Sequence, residues 1–257
     1  MSSSVAELNG PIRALFSDLD GTLTTRGRIE SATYAALEEL DSLGIPVIIV
    51  TGRPAGWGQA LAALSAATAV VTENGGVTFV REGTMWKKLY GVPAASVPEW
   101  RRKMHAAAVD AMTEVGARLS SDSKYREVDL AIDWNEEASL SAEDAEVVVA
   151  QLRDRGFTAV RSSVHVNFGP PKFDKLTACK MVVEHVLGGN PEALEDYVFV
   201  GDALKDAPMF AGFDKSVGVG NVREWWDELS ARPKFVTEAH EGAGFRELVG
   251  RVKQIRG

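Results

Sequence analysis

Apolar and polar positions keep one rhythm in the first and last thirds of this chain and another in the middle. Residues 12–17 form a short apolar run that reads as a strand, and residues 31–43 carry apolar positions at helical spacing until Gly44 closes the turn. Pro46-Val47-Ile48-Ile49-Val50 is continuous and β-branched, the pattern of a strand buried on both faces of a parallel sheet. A second helix is predicted over 55–67 and a third strand over 69–71. After residue 171 the alternation resumes: helix 175–187, strand 197–200, helix near 203–210, strand 216–219, helix near 224–229, strand 235–236 and a closing helix over 244–255. Strands separated by helices of this length predict an α/β protein with a doubly wound parallel sheet.

From about residue 86 to 171 the pattern changes. Helical stretches at 98–116 and 141–155 accompany segments of alternating apolar and polar residues at 125–133 and 164–168. Alternation predicts an antiparallel sheet with one face packed on helices and one face open. Gly169-Pro170-Pro171 then makes a hinge-like return. The expected organisation is an α/β core of residues 1–86 and 172–257, interrupted by an inserted α+β cap domain over 87–171.

At 257 residues, 45% of them hydrophobic and 25% charged, the chain can bury a substantial core. A net charge of −8 argues against a general nucleic-acid binder. The basic cluster Arg101-Arg102-Lys103 lies in a predicted helix and reads as a solvated face. A lone cysteine, Cys179, excludes an internal disulfide, and its apolar helical surroundings read as a buried thiol rather than a nucleophile. No apolar run approaches the ~20 residues that span a bilayer. Residues 1–7 lack the basic and apolar regions of a secretion signal, so a cytoplasmic protein without a membrane partner is expected.

The chemistry concentrates where predicted strands end. Asp18 and Asp20 stand at i and i+2 before Gly21-Thr22, so both would project to one side of the strand end. Like charges so close repel, and a hard cation such as Mg2+ would relieve them. The second strand delivers Thr51-Gly52-Arg53, the third Glu73-Asn74-Gly75-Gly76, and a late one Gly201-Asp202 with Asp206 four residues on. Ligands of open α/β sheets bind beyond the carboxyl ends of the strands, where these groups and Lys175 would converge.

Asp18-x-Asp20-Gly21-Thr22, Thr51-Gly52-Arg53, Lys175 and Gly201-Asp202-x-x-x-Asp206, in that order, resemble the four motifs of the haloacid dehalogenase superfamily of phosphatases. The insertion resembles the type IIB cap, and Glu73-Asn74-Gly75-Gly76 with the run from Ser216 to Asn221 resembles the mannosyl-3-phosphoglycerate and sucrose-phosphate phosphatase branch. The resemblance covers essentially the whole chain. It implies a Rossmann-like core in which Asp18 attacks phosphorus, Asp20 acts as acid and then base, and Thr51 and Lys175 bind phosphate oxygens. It also implies Mg2+ held by Asp18, Asp202 and the Asp20 main-chain carbonyl, with Asp206 orienting Lys175 or metal-bound water. Two positions depart from the pattern. Leu176 follows Lys175 where relatives often carry Gly, and Lys205 precedes Asp206 where many carry Asn, so that an extra cation would replace a phosphate contact or weaken metal affinity.

In the cap, Ser163, His165 and Asn167 alternate onto one strand face, a row suited to sugar hydroxyls, with Lys172 or Arg126 available to an anionic group. A satisfied sheet surface would show the same row. Arg53, Asn74 and Gly75 complete the candidate substrate contacts, and Trp57 could line the pocket. The expected activity is Mg2+-dependent hydrolysis of a small phosphorylated sugar or sugar acid through an aspartyl-phosphate. The alternatives are a phosphotransferase or mutase, and a catalytically weak sugar-phosphate-binding module. A signalling receiver domain fits less well, because no lone Asp ends the second or third predicted strand.

Overall fold

The computed structural model describes residues 2–162, 164–171 and 174–256, and builds them around two sheets. The elements in chain order are β1 (Ser3–Ser4), β2 (Ala14–Asp18), α1 (Ser31–Ser42), β3 (Val47–Val50), α2 (Ala55–Leu64), β4 (Ala69–Thr72), β5 (Val77–Glu82) and β6 (Met85–Tyr90). There follow α3 (Val97–Val115), β7 (Arg118–Leu119), β8 (Leu130–Asp133), α4 (Ala142–Asp154), β9 (Thr158–Arg161) and β10 (His165–Gly169). The chain closes with α5 (Lys175–His185), β11 (Tyr197–Gly201), α6 (Ala207–Gly212), β12 (Lys215–Gly218), β13 (Phe235–Val236) and α7 (Glu241–Arg256).

The large sheet runs β1-β13-β12-β11-β2-β3-β4-β5-β6. It is parallel from β1 to β4 and ends in an antiparallel hairpin, β5 and β6. Its buried strands alternate between two apolar layers, as side chains of a two-faced strand must. Leu15, Val47, Ile49 and Val70 pack with Leu37, Leu40, Phe245 and Leu248 of α1 and α7 on one face. Phe16, Ile48, Val50, Val71 and Phe199 pack with Cys179, Val182 and Phe210 of α5 and α6 on the other. Both faces are covered, which is why residues 46–50 have no polar break.

The hairpin was not legible as strands, and β6 continues the large sheet to Tyr90, across the boundary expected at 86/87. The second sheet, β7-β8-β10-β9, is antiparallel as alternation predicts. Leu130, Ile132, Val166 and Phe168 turn to α3 and α4, burying against Met104, Ala108, Val148 and Leu152. Two predicted elements are shorter or different. Of residues 125–133 only β8 is strand, and the helix expected near 224–229 is a 3-10 turn, Gly220–Trp225. Trp226 packs against the core, whereas Trp225 is exposed.

Candidate active site

The geometry of the large sheet brings the motif residues together. β2 is central, with β11 on one side and β3 on the other, so Asp18, Gly201-Asp202 and Thr51 end neighbouring strands. Asp18 is fully buried, and its two oxygens face two cations. Lys175 Nζ donates to Oδ1 at 2.7 Å, and Lys205 Nζ lies 3.2 Å from Oδ2. That second contact lacks hydrogen-bond alignment, leaving Oδ2 without a hydrogen-bond partner among the described residues. Burial would raise the Asp18 pKa, but Lys175 and Lys205 outweigh it and hold the carboxyl below its usual range.

Lys175, the first residue of α5, also donates to Asp206 Oδ1 at 3.0 Å. Burial alone would lower its pKa, and Asp18 and Asp206 raise it on balance. The other Asp206 oxygen accepts from the backbone N–H groups of Asp202 and Ala203, so this carboxylate holds both the lysine and the turn after β11. Asp202 accepts from Thr22 Oγ1 and from Asn221 Nδ2, each at 3.1 Å. Asn221 belonged to a run noted only for its resemblance, and nothing in the sequence ties it to position 202. Gly21 is required here, because its φ is +82° and an added Cβ would stand 2.9 Å from Asp202 Cγ.

Asp18, Asp202 and Asp206 each offer a carboxylate oxygen, and these lie within 4.8 Å of one another. Burial, with Asp18 and Asp206 nearby, pushes the Asp202 carboxyl up to about 8. Such a set of hard oxygen donors fits a divalent cation of the Mg2+ kind. The Asp20 side chain is not in the group. It lies past the strand end, where Arg53 grips it through Nε at 3.0 Å and Nη2 at 2.9 Å, with Trp57 stacked 4.8 Å from the guanidinium carbon. Thr51 is buried after β3, its Oγ1 accepting from the Arg53 backbone N–H.

A cavity of about 480 Å3 lies between the two sheets. Asp20, Arg53, Asn74, Lys175 and Lys205 line it from the large-sheet side, and Arg126, His165 and Asn167 from the other. His165 Nε2 lies 2.8 Å from Glu136 Oε2, whereas Asn167 Nδ2 is buried with no hydrogen-bond partner among the described residues. Gly75 has φ +111° and supports the wall, an added Cβ meeting the Asp174 carbonyl carbon at 2.9 Å. Ser163 and Lys172 lie outside the described residues.

Arg126 differs from its sequence reading as an open anion site. Its N–H groups go to Asp122, to Asp129 and to the Gly52 carbonyl, so it works as a strut between the two sheets. Glu73 does the same from the other side. Its buried carboxylate accepts from the backbone N–H groups of Ala55, Glu127, Val128 and Asp129. One guanidinium thus meets Asp122 and Asp129 beside Glu73, and burial with these neighbours pushes the Asp129 carboxyl up to about 8 against the pull of Arg126. The folded protein then keeps a proton that the unfolded chain releases near pH 4, so stability falls as pH rises from there towards 8. Denaturation midpoints across that window should fall less steeply in Asp129→Asn than in the wild type; parallel curves would refute the assignment. Cys179 is buried, and burial raises its thiol pKa, in keeping with an inert core side chain.

Among known proteins, the model of the haloacid dehalogenase-like hydrolases matches residues 15–91. The phosphoglycolate phosphatase of Haloarcula marismortui is 31% identical over 239 residues, covering 91% of this chain and 95% of that protein. A solved Thermoplasma acidophilum structure superposes with a TM-score of 0.76 at 20% identity, over 96% of this chain and 99% of that one. A haloacid dehalogenase subclass IIB sugar phosphatase gives a TM-score of 0.65 at 18% identity, over 94% and 98%. Among the described residues no helix is long and apolar enough to cross a membrane.

Proposed function

The chain belongs to the haloacid dehalogenase-like hydrolases, as a phosphatase with a type IIB cap, and from that premise we propose that it is a Mg2+-dependent phosphomonoesterase acting on a phosphorylated sugar or sugar acid. The observation that carries this reading is Asp18, buried at the end of β2 between two ammonium groups and beside Asp202 and Asp206. Asp18, Asp202 and Asp206 would hold Mg2+, which when bound would neutralise charge between the nucleophile and the phosphate.

An Asp18 oxygen attacks phosphorus, and the ester P–O bond breaks as Asp20 passes a proton to the leaving oxygen. Water then attacks the aspartyl-phosphate and gives its proton to Asp20. The bond between phosphorus and Asp18 breaks, freeing inorganic phosphate. Lys175 and Thr51 bind the non-bridging oxygens, and Arg53 orients the Asp20 carboxyl over the cavity. Residues from about 91 to 171 form the cap that shapes the leaving-group site. The lone, buried Cys179 is in keeping with a cytoplasmic setting.

The cavity favours a hydroxyl-rich leaving group. Arg53 is committed to Asp20 and Arg126 to Asp122 and Asp129, while the Asn167 amide Nδ2 has no hydrogen-bond partner among the described residues. A second reading, 2-phosphoglycolate as substrate, is supported by the name of the Haloarcula marismortui relative. Phosphate release with Mg2+ from sugar phosphates, sugar-acid phosphates and 2-phosphoglycolate separates them. The highest kcat/KM is expected on a sugar member. A clear preference for 2-phosphoglycolate overturns the sugar reading alone, and no turnover with metal demonstrably bound overturns the phosphatase. Phosphoryl transfer to an added sugar, in place of free phosphate, would mark a phosphotransferase.

A further inference from the structure

Lys205 stands where the site needs an opening. It lies in the 3-10 turn Leu204–Asp206 that follows β11, and its side chain reaches back along the cavity to Asp18 Oδ2. The two lysines on Asp18 are held differently. Lys175 is 7% exposed and hydrogen-bonded to two carboxylates, whereas the Lys205 side chain is 35% exposed and touches Oδ2 without hydrogen-bond alignment. The first is fixed and the second is free to leave. An ammonium is the ordinary form of a lysine at neutral pH, and that of Lys205 sits 3.2 Å from Asp18 Oδ2.

We propose that Lys205 is a built-in counter-ion: its ammonium occupies Asp18 Oδ2 when no divalent cation is bound, must vacate that oxygen for one to bind, and so sets the metal affinity of the site. The inference rests on the reading that Asp18, Asp202 and Asp206 take a divalent cation. Once a divalent cation has displaced the proton that burial favours on Asp202, three carboxylates face it and Lys175, so a cation replacing Lys205 brings the site to balance, whereas one added beside it meets like charge at the shared oxygen. A tethered competitor of this kind weakens binding without closing the site.

The test is Mn2+ binding to the full chain, followed by electron paramagnetic resonance of the free ion, in wild type, Lys205→Gln, Lys205→Arg and Asp202→Asn. Lys205→Gln should bind Mn2+ about tenfold more tightly or better, while Lys205→Arg, which keeps the cation, stays near wild type. Equal or weaker binding by Lys205→Gln overturns the counter-ion. If Asp202→Asn still abolishes binding in that case, the metal reading survives by itself. If Asp202→Asn changes nothing, the metal reading fails and takes the counter-ion with it. Should Lys205→Gln be too unstable without metal, Mg2+ titration of Tm serves instead: the rise must exceed that of wild type, and an equal rise overturns the proposal.

Discussion

Asp18→Asn is expected to lower phosphate release by about 10^4-fold or more, because removing a covalent nucleophile eliminates a pathway rather than weakening a contact. The substitution is nearly isosteric, so the end of β2 and its packing should survive. The amide carbonyl is a poor nucleophile, and the carbonyl oxygen that remains cannot balance both Lys175 and Lys205. Loss of activity alone would not separate a nucleophile from a positioning group, so a second measurement is needed. Rapid acid quench during turnover, followed by borohydride reduction, should convert residue 18 of the wild type into homoserine, detectable by peptide mass. A phosphorylated residue elsewhere, or turnover in Asp18→Asn within a factor of about ten of wild type, would remove the central assignment.

How much of this was readable in advance follows from what each signal depends on. The core strands were legible because burial on both faces leaves a continuous apolar run, and residues 46–50 admit no other placement. The acidic cluster was legible because Asp18, Asp202 and Asp206 sit at fixed offsets from strand ends, and parallel strands end on one side of the sheet. The hairpin β5–β6 was lost because Gly75-Gly76 resembles the end of a motif loop, and Met85 to Tyr90 are too exposed to read as core. Residues 125–129 misled for a different reason. They alternate as a strand does, yet the backbone N–H groups of Glu127, Val128 and Asp129 are satisfied by the Glu73 carboxylate instead of a neighbouring strand. Alternation reports which side chains are buried, not what the backbone bonds to. Arg126 shows the same limit, since a sequence gives a cation's presence but not the carboxylates that claim it.

Glu73→Gln should therefore be the costliest single change outside the acidic cluster, at about 3–5 kcal/mol. Oε1 accepts from Ala55 N at 2.9 Å and Glu127 N at 2.7 Å, and Oε2 from Val128 N at 2.7 Å and Asp129 N at 2.9 Å. Glutamine keeps one oxygen and turns an NH2 group towards the other pair, so two buried donors face a donor whichever way the amide flips. The residue also holds φ +52°, a left-handed backbone that only a well-anchored side chain sustains without glycine. A loss of this size corresponds to a fall in Tm of about 10 °C or more for a chain of this length. Hydrogen exchange locates the effect: the amides of 127–129 should lose protection first, while those of β2 and β3 keep theirs. Because the same segment ties the cap to Ala55 and, through Arg126, to Gly52, KM should rise more than kcat falls. A variant with wild-type Tm and protected 127–129 amides would show that the junction is held by packing, with the carboxylate a bystander.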